Sequence, residues 1–129
     1  MDYNKSMEII EKVLFELIEE NNKIPVIVEG EKDITALRSF GLKGEIISLN
    51  KGVSLTDFCD SIARTYCEVI ILTDWDRRGG YLAHTIERYL FGRVRCNTYF
   101  RELIAKNSIC KTIEGLPSWY EKLKEKVID

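Results

Sequence analysis

The chain has 129 residues, of which 45% are hydrophobic and 31% charged. That excludes wholesale disorder and leads to the expectation of one domain over residues 1–129, since two halves would each struggle to bury a core. The longest apolar runs, residues 24–28 and 69–72, fall far short of the roughly 20 residues of a membrane helix. The acidic N-terminal stretch has no apolar signal core, so a cytoplasmic protein away from membranes is expected. The formal charge of −2, taken alone, argues against a polybasic binder of nucleic acid. The average conceals a gradient: residues 1–31 carry eight acids against three bases, whereas residues 77–111 carry eight bases against two acids.

Met7, Ile10, Leu14, Leu17 and Ile18 recur at helical spacing with glutamates opposite, which predicts an amphipathic helix over residues 6–20. Residues 24–28 read as a short buried strand, with Pro25 at its start, where a missing donor is tolerated. A helix over 31–40 follows and is stopped by Gly41. The second strand covers 45–49, and Ser54-Leu55-Thr56-Asp57 resembles a capping box opening a helix to about Tyr66. Residues 68–73 form a third strand, apolar on both faces, and 74–80 a loop. A helix then runs to about Phe91, a fourth strand covers 93–97, a short helix or turn 98–106, and a final helix 116–127.

Short apolar strands alternating with helices specify an α/β fold: a mainly parallel four-stranded sheet flanked by helices, with the N-terminal helix as an addition. Cys59, Cys67, Cys96 and Cys110 lack C-x-x-C spacing, and His84 is the sole histidine. Reduced cysteines of a reducing compartment are therefore expected rather than a zinc site.

In parallel sheets ligands bind at the carboxyl ends of the strands, and two strands here end in carboxylates. The first runs into Glu29-Gly30-Glu31-Lys32-Asp33, the third into Asp74-Trp75-Asp76-Arg77-Arg78-Gly79-Gly80. Neighbouring strands would bring Glu29, Asp74 and Asp76 to one edge. Two like charges about 4 Å apart repel by about 4 kcal/mol at an effective dielectric of 20, so such a group requires protonation, basic partners or a cation. Hard oxygen ligands favour magnesium or manganese, and magnesium keeps waters that phosphate oxygens can replace.

These two segments together resemble the Toprim domain, shared by topoisomerases, primases and several nucleases, whose signature is a glutamate after the first strand and Asp-x-Asp after the third. The likeness covers about residues 23–97, leaving 98–129 as a C-terminal helical extension. Leu49-Asn50-Lys51-Gly52 and Leu72-Thr73-Asp74-Trp75-Asp76 bring it closest to the small stand-alone, primase-like Toprim proteins of archaea. The resemblance implies a Rossmann-like fold. It also implies Asp74 and Asp76 as ligands of Mg2+ (or Mn2+), and Glu29 as general acid/base and further metal contact. Nucleic acid, RNA or DNA, is the implied partner, and Gly52 matches the family's glycine turn after its second strand.

Gly30 and Gly52 leave room for close backbone approach, while Lys32, Lys51, Arg77 and Arg78 are the candidate phosphate contacts. Asp33 either caps its helix or supports the acidic site. Trp75 either stacks on a base or packs, His84 reads as a surface residue, and Glu114 is either a further acid or a helix-entry residue. The expected function is magnesium-dependent binding or processing of nucleic acid, extending to phosphodiester cleavage by a nuclease or phosphotransferase. The alternative is a non-catalytic nucleic-acid-binding scaffold subunit working with protein partners. A phosphatase of the haloacid-dehalogenase type also uses Asp-x-Asp, but Arg78 stands where that group has Thr or Val. The basic stretch 77–111 is expected to track the phosphate backbone.

Overall fold

Four short strands organise the molecule: β1 (Val26–Val28), β2 (Ile46–Ser48), β3 (Glu68–Ile71) and β4 (Arg95–Asn97). The computed structural model describes residues 2–49 and 52–127. The strands lie in the order β2-β1-β3-β4, all parallel, with Val26 beside both Ile46 and Ile70, and Glu68 beside Arg95. Six helices flank them: α1 (Tyr3–Asn21), α2 (Glu31–Phe40), α3 (Leu55–Thr65), α4 (Arg77–Leu90), α5 (Tyr99–Asn107) and α6 (Leu116–Lys126).

The two-residue period of a strand sends alternate side chains to opposite faces. Val26, Val28, Ile70 and Leu72 pack with α1, α2, α5 and α6. Ile27, Val69 and Ile71 pack with α3 and α4. The central strands are thus buried on both sides, which explains why their sequences are continuously apolar rather than alternating. Fully burying each such isoleucine contributes about 1.5–3 kcal/mol. The chain leaves β1 in one direction, to β2, and leaves β3 in the other, to β4. A single crossover hand then requires the connecting helices to change face, as α2 and α4 do. The point of reversal, between β1 and β3, is where a crevice opens at the carboxyl edge.

The α/β fold read from sequence is the observed one, with the strands shorter than predicted and the starts of α1 and α4 moved furthest. α1 starts at Tyr3 instead of residue 6 because Asp2 caps it, accepting the Lys5 amide proton at 3.1 Å. α4 starts at Arg77, inside the predicted loop, because Asp76 caps it, accepting from the Gly79 amide at 2.7 Å. The pair Gly79-Gly80, read as loop, lies in the first turn of that helix. A Cβ on Gly79 would sit 1.8 Å from the Asp74 carbonyl oxygen. Glycine is there to let the helix pass close over the end of β3. No helix among the described residues is long and apolar enough to cross a membrane.

Candidate metal and phosphate site

Glu29 and Asp74 follow β1 and β3 directly, so adjacent parallel strands deliver them to the same crevice. The Glu29 carboxylate accepts the backbone N–H of Asp74 through Oε2 at 2.8 Å, and its Oε1 faces Arg78 Nη1 at 3.7 Å. Asp74 is held from three directions. Its Oδ1 accepts the Ile113 amide at 2.8 Å. Its carbonyl, with that of Thr73, accepts from Arg101 of α5 at 2.7 and 3.0 Å. The Thr73 hydroxyl donates to the Gly79 carbonyl at 2.7 Å, tying the end of β3 to α4. Next in the chain, Trp75 donates its amide to Lys111 and its indole N–H to the Cys110 carbonyl, with the ring packed on the core.

These residues border a cleft of about 460 Å³. One wall is charged: Glu29, Lys32, Asp33, Asp74, Arg78 and Glu114. Lys32 reaches Glu114 at 3.9 Å across the mouth. Asp33, only 7% exposed, accepts the Gly30 amide at 3.1 Å, the reciprocal half of a capping box. The two readings of Asp33 therefore merge, because it caps α2 and also borders the cleft. An apolar part of the lining is made by Leu49, Val53, Leu55, Phe58 and Leu82.

Among the described residues five carboxylates border the cleft, counting Glu31, against two cations. Burial, together with nearby Glu29, Asp33 and Asp76, pushes Asp74 up to about 6 despite the opposing hydrogen bond from Ile113. Burial also raises Asp33, against the pull of the Gly30 amide, and Glu114 adds to the rise. The helices after the strands, α2, α3 and α4, point their amino ends at this edge, where their dipoles favour negative charge. The edge is thus built for anions yet crowded with fixed ones.

The donor set fits a hard divalent cation. Asp74 Oδ2 and Asp76 Oδ2 accept no hydrogen bond among the described residues, while their partner oxygens are anchored by the Ile113 and Gly79 amides. Among the described residues no three His, Cys, Asp or Glu side chains form a ready metal cage.

The structure gathers Glu29, Gly30, Lys32, Asp33, Asp74 and Arg78 around one cleft. Asp76 is at the start of α4 beside Asp74, outside the lining, and Arg77 is exposed next to it. Gly52 is exposed and outside the lining, and Lys51 falls outside the described residues. A Cβ on Gly30 would meet nothing within 4 Å, so that glycine does leave open space. The basic stretch does not form one track. Arg88, Arg93 and Arg95 lie at the far end of α4 and the start of β4, about 15 Å or more from Arg77 at 1.5 Å per helical residue. Arg101 is committed to the backbone. Sequence reading missed Arg101 and Ile113 as supports of Asp74. Ile113 acts through its amide, which has no side-chain signature, while Arg101 was counted only as charge.

The Toprim domain family matches the chain over residues 25–106. The UPF0292 protein of Thermoplasma volcanium is 43% identical over 109 residues, covering 84% of this chain and 92% of that one. The UPF0292 protein of Methanosarcina acetivorans is 40% identical over 130 residues, covering 96% and 88%. A solved structure of an Aquifex aeolicus protein superposes with a TM-score of 0.69 at 26% identity, covering 81% of this chain and 94% of the other. The supporting segment 110–114 lies beyond the matched range.

Proposed function

Given that the chain belongs to the Toprim domain family, we propose that it handles the phosphates of nucleic acid at the β1/β3 crevice with the help of a magnesium ion, which manganese can replace. The observation that carries this reading is the Glu29–Asp74 contact. In it the Glu29 carboxylate accepts the Asp74 amide, which ties together the ends of two neighbouring strands on the rim of a cleft that also holds Arg78 and Lys32. Asp74 and Asp76 would hold the ion through their free oxygens, with Glu29 next to them. The ion supplies charge neutralisation and polarises a phosphoryl oxygen.

The protein's own groups do the rest. The amino ends of α2 and α4 and the Arg78 and Lys32 side chains attract and orient a phosphate. Glu29, with Oε2 fixed by an amide and Oε1 directed at Arg78, is placed to hold or pass a proton at Oε1. Among the described residues the cleft is lined by carboxylates, two cations and apolar side chains, a lining that suits cleavage by water and equally suits the second reading, a nucleic-acid-binding scaffold without turnover.

Magnesium-dependent, salt-sensitive binding of RNA or DNA, with cleavage that Glu29→Gln abolishes while binding persists, supports the catalytic form. Binding without cleavage across single- and double-stranded substrates supports the scaffold. Absence of any magnesium-sensitive binding sinks both.

A further inference from the structure

The apolar wall of the cleft has no use in gripping a phosphate. Val53 is 42% exposed, and with Leu49, Leu55 and Leu82 it lines the same cleft as the carboxylates. Phe58 backs this wall from the core of the α3/α4 layer. Val53 is the exposed member of this apolar lining, and Leu82 stands one helical turn beyond Arg78 on α4. The cleft, at about 460 Å³, falls in the range of sites for small organic ligands, roughly 300–1,000 Å³.

We propose that this wall receives a nucleobase, so that the site takes one nucleoside monophosphate unit, with phosphate on the Arg78–Lys32 side and base against Val53 and Leu82. The proposal rests on the reading above and narrows its substrate. In a duplex the bases are stacked inside and cannot lie beside their own phosphate in a pocket unless extruded. The unit is therefore an unpaired or terminal nucleotide of a strand, or a free nucleotide. Apolar side chains hold flipped-out bases by stacking and contact, tolerant of which base is present. Among the described residues this apolar part of the lining is aliphatic and aromatic, and such contacts discriminate little among the four bases.

Equilibrium titration of the full chain in magnesium tests this with four probes: a single-stranded oligonucleotide, the same strand made abasic, a blunt duplex, and adenosine monophosphate. Base-bearing single strand should bind roughly three- to tenfold more tightly than the abasic strand, the scale of burying part of a base against aliphatic side chains, and more tightly than the duplex. Val53→Asn, at an exposed position, should erase the difference between base-bearing and abasic strands while leaving binding of the abasic strand unchanged. Binding of the monophosphate assigns the unit to a free nucleotide, and its failure alongside strand binding assigns it to a strand; both support the pocket. Equal affinity for base-bearing and abasic strands in the unaltered protein overturns the pocket but leaves the phosphate reading standing. No binding of any probe overturns the two together.

Discussion

At the amino ends of the strands charges meet opposites in the open. Arg93 pairs with Asp60 at 3.0 Å, both over 40% exposed. Glu68 stands beside Arg95 in the ladder, and Glu45 takes the Tyr66 hydroxyl. Backbone groups there are closed by one buried side chain. Asn21, 1% exposed, accepts from Gly44 and donates to the carbonyls of Ile24 and Glu45. At the carboxyl ends the carboxylates meet amides and one another. Glu29 takes the Asp74 amide, Asp74 takes the Ile113 amide, and Asp33 takes the Gly30 amide. At one edge exposed charges pair one to one. At the other, among the described residues, carboxylates outnumber the Arg78 and Lys32 side chains that reach them, the imbalance that the proposed cation would offset.

Both edges depend on a backbone passing too close for a side chain, so glycine substitutions give the largest expected effects. A Cβ on Gly79 would lie 1.8 Å from the Asp74 carbonyl oxygen, and one on Gly44 the same distance from the Asn21 carbonyl oxygen. Gly79→Ala and Gly44→Ala should each cost roughly 3 kcal/mol or more, read by urea unfolding. The comparison is sharpened by what survives: Gly44→Ala, at temperatures where it is folded, should keep magnesium-dependent nucleic-acid binding, and Gly79→Ala should not. Loss of binding in both would mean that the edges are not independent.

A smaller effect separates the edges by pH. Asp74 titrates at about 6 in the folded protein against 3.8 ordinarily, so the folded state holds this proton more tightly. Its contribution to stability is fully present below about 3.8 and is lost as pH rises through about 6. Lowering the pH from 7.5 to 4 should therefore stabilise the unaltered protein by about 1–3 kcal/mol relative to Asp74→Asn, measured as the difference in their unfolding free energies. A difference independent of pH would contradict the raised titration. The smallest effect belongs to the edge of paired charges. Asp60→Ala, which removes an exposed pair, should change stability by no more than about 1 kcal/mol, and less in high salt.

Much of this was legible in the residues. Helix α2 occupies the predicted 31–40, and the four strands fall within the runs assigned to them, because short β-branched runs between helical periods have few other solutions. Glu29 and Asp74 could be placed together because parallel strands must end on the same edge. The start of α4 was hidden because Gly79-Gly80 reads as loop; the spacing of Asp76 three residues before Gly79, an N-cap geometry, was the available signal. The support of Asp74 by Arg101 and Ile113 was hidden for another reason. Those bonds span 27 and 39 residues and end on backbone atoms, and no local pattern encodes them. The apolar wall was invisible too, since Leu49 and Val53 come from the β2–α3 connection and Leu82 from α4.

The account stands on a cation at the carboxyl edge, and anomalous diffraction from crystals soaked with manganese tests that most directly. The predicted result is a manganese peak within direct coordination distance, about 2 Å, of Asp74 and Asp76, next to Glu29 and absent in Asp74→Asn crystals. A peak only on the exposed glutamates of α1, or a peak at the cleft unchanged by Asp74→Asn, would contradict it.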